Sequence, residues 1–211
     1  MVPASSSLVN DYNKEKQHYF LHKIRTIIKD QLVLLSDLLY TTAIEEGKLY
    51  MDFASDDLID LINNRIEYFQ LIAHNKQLEI LSEMNSLPAF FFDRNRLKQV
   101  IDNLISNAIK YSPLGSKIII RVAMIDHNTV EVSITDEGKG IPLEQQKKLF
   151  NRFQTVGSKT TAGEASVGLG LSICKSIIDM HNGTIGVDTT RTQGSRFYFR
   201  LNISESLQQT G

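Results

Sequence analysis

Residues 97–113, LKQVIDNLISNAIKYSP, constrain this chain more than any other stretch. Leu97, Val100, Ile101, Leu104, Ile105 and Ala108 recur at three- and four-residue steps, which predicts one helix with a single apolar face. Ser112-Pro113 stops it. Asn103 and Asn107 lie four apart and stack on a second stripe, followed by Lys110 and Tyr111. Asparagine is a mediocre helix former, so two carboxamides beside a lysine point to a task. A carboxamide oxygen can ligate a hard cation such as Mg²⁺, and an ammonium can hold phosphate oxygens. Taken alone, the helix reads first as an amphipathic helix with solvated amides.

Composition narrows the classes. The 211 residues are 42% hydrophobic and 22% charged, with net charge −1, which suits one medium domain plus an extension. The neutral balance gives no argument for a nucleic-acid partner. No apolar run approaches the ~20 residues of a membrane span, so membrane attachment would come only through segments not present here. Residues 1–10 have neither the basic start nor the apolar block of a secretory signal. Cys174 is the single cysteine, so no intrachain disulfide can form and a reducing, cytoplasmic setting fits. It reads as a small core residue rather than a nucleophile.

In chain order, residues 1–10 read as a disordered lead. Residues 11–46 lack Gly and Pro and predict one long helix, closed at Gly47. Phe20 or Leu21, Ile24, Ile27 or Ile28, Gln31, Leu34 or Leu35, and Leu38 approach a heptad seam. At ~1.5 Å per residue, a helix of about 50 Å exceeds what one small domain can cover. A homodimer through this helix is the expectation, with folding onto the domain as the alternative. Residues 48–55 read as a linker. A helix is expected over 56–75, capped by Ser55 with Asp56 or Asp57, with Leu58, Ile59, Ile62, Ile66, Phe69 and Ile72 on one face. Short strands are expected over 78–81 and 89–92, before Asp93 caps the helix described first. Strands over 117–124 and 129–135 form a hairpin. A short helix follows over 143–150, then an aperiodic loop over 155–167, a helix from Gly168 to about His181, and strands over 184–188 and 196–203 around a turn at Gly194. Residues 205–211 read as a tail. This order predicts an α+β two-layer sandwich, a mixed and mostly antiparallel sheet on helices, preceded by the long N-terminal helix. His18, His74, His127 and His181 show no metal-ligand spacing.

Three further motifs join the first helix. Asp136-Glu137-Gly138-Lys139-Gly140-Ile141-Pro142 follows an alternating strand, Leu149-Phe150-Asn151-Arg152-Phe153 comes next, and Gly168-Leu169-Gly170-Leu171 opens a helix. Each is weak alone; Asp-Glu-Gly is ordinary turn chemistry. In this order and spacing the four stretches resemble the N, G1, F and G2 boxes of the GHKL ATPase superfamily. Within it they are most similar to the catalytic ATP-binding domain of sensor histidine kinases, over roughly residues 55–203.

The resemblance implies a Bergerat-type fold over 55–204 and an ATP and Mg²⁺ site. Asp136 would accept a hydrogen bond from the adenine amine, with Gly138 and Gly140 allowing positive φ and close approach beside Ile141. Asn107 would ligate Mg²⁺ and Asn103 support it; Lys110 would reach a phosphate, and Tyr111 would line the nucleotide. Gly168, Leu169, Gly170 and Leu171 would present bare helix amides to the phosphates. Residues 155–167 would form an ATP lid, with Phe150 and Phe153 anchoring its start, or serving as core, and Lys159 as its γ-phosphate cation. The sequence departs from the family at Ala165-Ser166-Val167, where a further glycine is common.

The implied activity is that of a protein histidine kinase, with the product passing to a response-regulator receiver domain. His22-Lys23-Ile24-Arg25-Thr26 has a superficial likeness to the family's phosphoacceptor motif. Lys23 replaces its acidic residue and Ile27 its proline, and residues 17–39 fit the second dimerisation helix rather than the first. No residue of the chain is therefore assigned as catalytic. Rival readings are a degenerate nucleotide-binding docking module, a hydrolase of another branch, and a serine-kinase-type anti-sigma or mitochondrial-kinase relative. Hydrolases of the superfamily carry a glutamate base on the first helix, where this chain has asparagines.

Overall fold

A computed structural model describes residues 50–154, 168–188 and 194–204, with positions 16–17, 19–21, 23–24, 27–28, 31, 35 and 42. The chain divides into two units, Met1–Gly47 and Lys48–Gly211. In the first unit the described positions are helical, and Phe20, Leu21, Ile24, Ile27, Ile28 and Leu35 are exposed. His22 and Gly47 lie outside the described residues.

The second unit runs β1 (Ala54–Asp56), α1 (Leu58–Asn75), β2 (Glu79–Met84), β3 (Phe90–Phe92), α2 (Arg94–Tyr111), β4 (Lys117–Met124), β5 (Thr129–Asp136), α3 (Leu143–Gln146), α4 (Gly170–Met180), β6 (Thr184–Asp188) and β7 (Ser195–Asn202). Five strands form one sheet in the order β2-β4-β5-β7-β6, and β1 and β3 form a small antiparallel pair. Only β2 and β4 are parallel, because α2 carries the chain between them. This is the mixed, mostly antiparallel sheet of the expected two-layer sandwich.

The register explains the core. Alternate residues of β4, β5 and β7 meet in rows, Ile120–Ile134–Phe197 and Val122–Val132–Phe199, and all are buried. The apolar face of α2 covers them: Leu97, Val100, Ile101, Leu104, Ile105, Ala108 and Ile109 are buried, and α2 packs on β5 between α1 and α4. Full burial of each large aliphatic side chain contributes about 1.5–3 kcal/mol. On the opposite face of β5, Glu131 lies between Arg196 and Arg200, with Arg200 Nε 2.7 Å from Oε2. Burial works against its charge, yet the bonds from Arg200 and Arg196 prevail and hold its carboxyl below the ordinary range.

The helix starts follow cap chemistry. Asp57 accepts from the N–H groups of Ile59 and Asp60, and Asp93 Oδ1 accepts from Arg96 N–H at 3.0 Å. Several boundaries differ from the reading above. β1 runs from the expected linker into the first residue of the expected helix, since three residues give no periodic signal. β2 extends to Met84, as an edge strand tolerates the polar Ser82 and Glu83. The short helix ends at Gln146; Lys148, Leu149 and Asn151 then donate to carbonyls three residues back, a tighter turn than an α-helix. The last helix begins at Gly170 rather than Gly168.

Candidate functional site

Contacts at three levels fix α4 antiparallel along the first half of α2. At one end, Asp93 N–H donates to His181 Nε2 at 3.1 Å. In the middle, Cys174, fully buried, points Sγ at the Val100 carbonyl 3.9 Å away. At the other end, a Cβ on Gly170 would lie 2.8 Å from Asn103 Oδ1. The start of α4 thus opens beside the carboxamide stripe of α2. Its N-cap residue, Leu169, makes no side-chain cap, so the first-turn amides and the positive end of the helix dipole are left for an anion.

Asp136 ends β5 and is buried. Its Oδ1 accepts from Gly138 N–H at 2.8 Å, and its carboxylate also accepts from Ser195 N–H. Burial pushes the carboxyl above the ordinary carboxylate value, against the pull of those two bonds. Gly138 does not adopt the positive φ expected of it; it is required for close approach. A Cβ there would lie 2.8 Å from Asp136 Oδ1 and 2.9 Å from the Tyr111 carbonyl oxygen. Gly140 does have positive φ, +74°. The turn therefore presses directly on the C-terminal end of α2.

Gly194 completes this corner, and the sequence reading missed its role. Its N–H donates to the Gly138 carbonyl at 2.9 Å, and its φ is +82°. The signal was a Gly-Ser pair opening a strand, which reads as a plain turn until the fold sets it against Asp136. Glu137 was also missed: its carboxylate accepts from Lys117 N–H at 3.0 Å and ties the turn to β4.

The remaining expected residues fall as follows. Asn107, one turn beyond Asn103, is half-buried, as are Lys110, Tyr111, Ile141, Phe150 and Leu171, while Leu169 is buried. Phe153 is 63% exposed, so it is not core. Gly168, with φ +76°, sits 2.5 Å, by its Cβ position, from the Gln154 carbonyl, which brings the two ends of 155–167 together. Lys159 and Ala165-Ser166-Val167 lie outside the described residues.

At the far end of α2, Asp93 gathers three segments. Its Oδ2 accepts from Asp52 N–H at 2.9 Å, and the Phe53 ring meets the His181 ring edge-on at 5.1 Å. His181 Nδ1 faces the Ile177 carbonyl at 2.8 Å, so Nδ1 carries the proton and Nε2 accepts. Burial lowers the His181 pKa, although the Ile177 bond and the Asp93 charge oppose it.

Among the described residues, no group of three or more His, Cys, Asp or Glu is placed to hold a metal ion. Beside the start of α4 the carboxamide of α2 is that of Asn103, with Asn107 one turn on; a carboxamide oxygen is a donor that would suit Mg²⁺, which keeps its waters and needs few protein ligands.

A buried acceptor at a strand end, a glycine turn packed on a carboxamide-bearing helix, and a helix start without a side-chain cap thus lie along α2 and α4. Residues 92–205 match the family described as histidine kinase-, DNA gyrase B-, and HSP90-like ATPase, and the chain belongs to that family. The alginate biosynthesis sensor protein KinB of Pseudomonas aeruginosa is 34% identical over 173 residues, 82% of this chain and 28% of KinB. The catalytic domain of histidine kinase ThkA superposes with TM-score 0.64 at 32% identity, over 72% of this chain and 97% of that domain. A structure of ThkA with the response regulator protein TrrA gives TM-score 0.67 at 29% identity, over 87% and 52%. Full-length ShkA in complex with AMPPNP gives TM-score 0.75 at 26% identity, over 88% and 38%. The chain spans less than half the length of the curated relatives it matches. Among the described residues, no helix is long and apolar enough to cross a membrane.

Proposed function

We propose that the Lys48–Gly211 unit binds Mg-ATP and positions its γ-phosphoryl group for transfer to a histidine on a separate helix. The observation that carries this reading is the convergence of the buried Asp136 carboxylate, the Asn103–Asn107 stripe and the uncapped start of α4. Asp136 takes the exocyclic amine of adenine in a dry pocket, where a carboxylate acceptor is strong. The Gly138 turn lies against the base. Lys110 and the first amides of α4 hold phosphate oxygens, and Tyr111 lines the nucleotide. Asn107 would hold Mg²⁺, with Asn103 supporting it; the bound cation supplies charge neutralisation along the triphosphate. The protein's share of phosphoryl transfer is therefore placement and electrostatics.

Hydrolysis as the main activity fits less well. Asp102 is the one carboxylate of α2, and it is held by Arg65 Nε at 2.6 Å and Lys98 Nζ at 3.0 Å, so it is no free base. ThkA in complex with TrrA supports a response-regulator receiver domain as the next phosphoryl acceptor, and ShkA with AMPPNP supports an adenine nucleotide. The apolar seam of the first unit supports a homodimer, and ATP use supports a cytoplasmic setting.

The test is incubation of the chain with labelled ATP and a separately supplied phosphoacceptor helical hairpin. Acid-labile label on the hairpin is the expected result. Binding of ATP with no transfer, at any hairpin concentration, would leave a docking module.

A further inference from the structure

The last turn of α2 carries Lys110 and Tyr111, and a helix end must find partners for its final carbonyls. Ser112 N–H takes the Ala108 carbonyl at 3.1 Å. The Tyr111 carbonyl faces Gly138. The carbonyls between them, of Ile109 and Lys110, both accept from Lys76 Nζ, the latter at 3.1 Å. Lys76 comes from α1, and no motif of the sequence singled it out.

Its own backbone is clamped. Lys76 is the C-cap of α1; Gln77 follows with φ 56° and donates to the His74 carbonyl, and Leu78 N–H donates to the Ala73 carbonyl, both at 2.9 Å. This is a Schellman end, closed by the buried pair Ala73 and Leu78. One helix terminus thus aims an ammonium at the carbonyl end of another, where a cation also meets the negative end of the dipole.

We propose that Lys76 is a positioning residue of the nucleotide site. It fixes the last turn of α2 at the carbonyls of Ile109 and Lys110, and so places Lys110 for the phosphates. The proposal rests on the ATP-binding reading above. Without the ammonium, two carbonyls lose the donor that joins them and the turn loosens. Lys110 then occupies its binding position only part of the time, and the apparent ATP affinity falls by that fraction.

The experiment is calorimetric titration of the full chain and its Lys76→Met, Lys76→Gln, Lys76→Arg, Lys110→Ala and Lys76→Met/Lys110→Ala variants with Mg-ATP and with adenosine. Far-UV circular dichroism checks the fold of each. Lys76→Met is expected to weaken ATP about fivefold or more and adenosine less than about twofold. Lys76→Arg, which keeps donors for both carbonyls, is expected to restore the parent value. Lys76→Gln keeps one donor group, falls between them, and serves if Lys76→Met does not fold. The double variant is expected to bind ATP no worse than Lys110→Ala, because Lys76 acts through Lys110. Unchanged ATP affinity in the Met and Gln variants, equal losses for ATP and adenosine, or additive losses in the double variant each overturn the proposal. A parent chain that binds no ATP overturns the underlying reading itself, and is thereby distinguished.

Discussion

The corner where β7 meets the Asp136 turn admits a graded test with two alanines. Gly115 and Gly194 have nearly the same positive φ, +77° and +82°. A Cβ on Gly115 meets nothing within 4 Å, whereas on Gly194 it would lie 2.0 Å from the Asp136 carbonyl oxygen. Gly115→Ala therefore reports the left-handed backbone alone, about 1–2 kcal/mol, less what a stiffer unfolded chain returns, for a net of about 1 kcal/mol. Gly194→Ala adds a displacement that no rotamer relieves. It breaks the bond from Gly194 N–H to the Gly138 carbonyl and leaves an acceptor of a buried residue unsatisfied, about 1–3 kcal/mol more. The gap between the variants should be about 2 kcal/mol, or roughly 4–8 °C in Tm for a unit of this size. Urea and thermal unfolding followed by circular dichroism measure it. ATP titration should show Gly115→Ala at the parent affinity and Gly194→Ala tenfold weaker or worse, each tenfold being about 1.4 kcal/mol. Equal destabilisation by the two alanines, or parent ATP affinity in Gly194→Ala, would refute the claim that this glycine holds the turn.

Asp136→Asn should trade function for stability. The raised Asp136 pKa means that the folded chain loses stability as pH rises from 3.8 through the folded value, so at neutral pH the amide variant should be the more stable. It should also bind ATP about 10–100-fold more weakly, having lost a charge-assisted acceptor; lower stability at neutral pH, or unchanged discrimination of ATP over GTP, would count against this. His181 runs the other way in pH. Its folded pKa lies below 6.5, so its contribution is complete above that value and drains away as pH falls beneath it. His181→Gln should flatten the acid limb of the stability curve relative to the parent, and an unchanged slope would contradict the buried neutral imidazole. Asn107→Ala should weaken ATP about tenfold in Mg²⁺, the scale of one charged contact, and hardly at all in EDTA; equal losses in both buffers would remove Asn107 from the cation site.

Much of this architecture was legible before any coordinates, and the reasons are local. The α2 period, the Asp93 cap and the β4–β5 hairpin are encoded within single segments, and each appears where the residues place it. Asp136 falls at a strand end before a glycine turn, as its segment implies, though alone that pattern is ordinary turn chemistry. What escaped was long-range. Gly194 matters only because β7 pairs with β5 and sets it against Asp136, 58 residues away by number, and Lys76 matters only because α1 stops beside the end of α2. Gly138 was assigned positive φ when its real constraint is crowding from Tyr111 and Asp136, which no single-segment rule contains. β1, three residues long, acquires its strand character from β3 rather than from its own sequence.

Three helices and one turn meet around α2. α4 lies along α2 from His181 to Gly170, α1 caps α2 through Lys76, and β7 pins the Asp136 turn through Gly194. The Asp136 turn, the last turn of α2 and the start of α4 each meet a neighbour from a different element, which is how a site is preorganised on rigid scaffolding.

Calorimetric titration of the chain with AMPPNP, with and without Mg²⁺, tests this most directly. The expected result is saturable binding near one nucleotide per chain, strengthened by Mg²⁺ and abolished or sharply weakened in Asp136→Asn. Absence of binding in both buffers, by a chain shown to be folded, would contradict it.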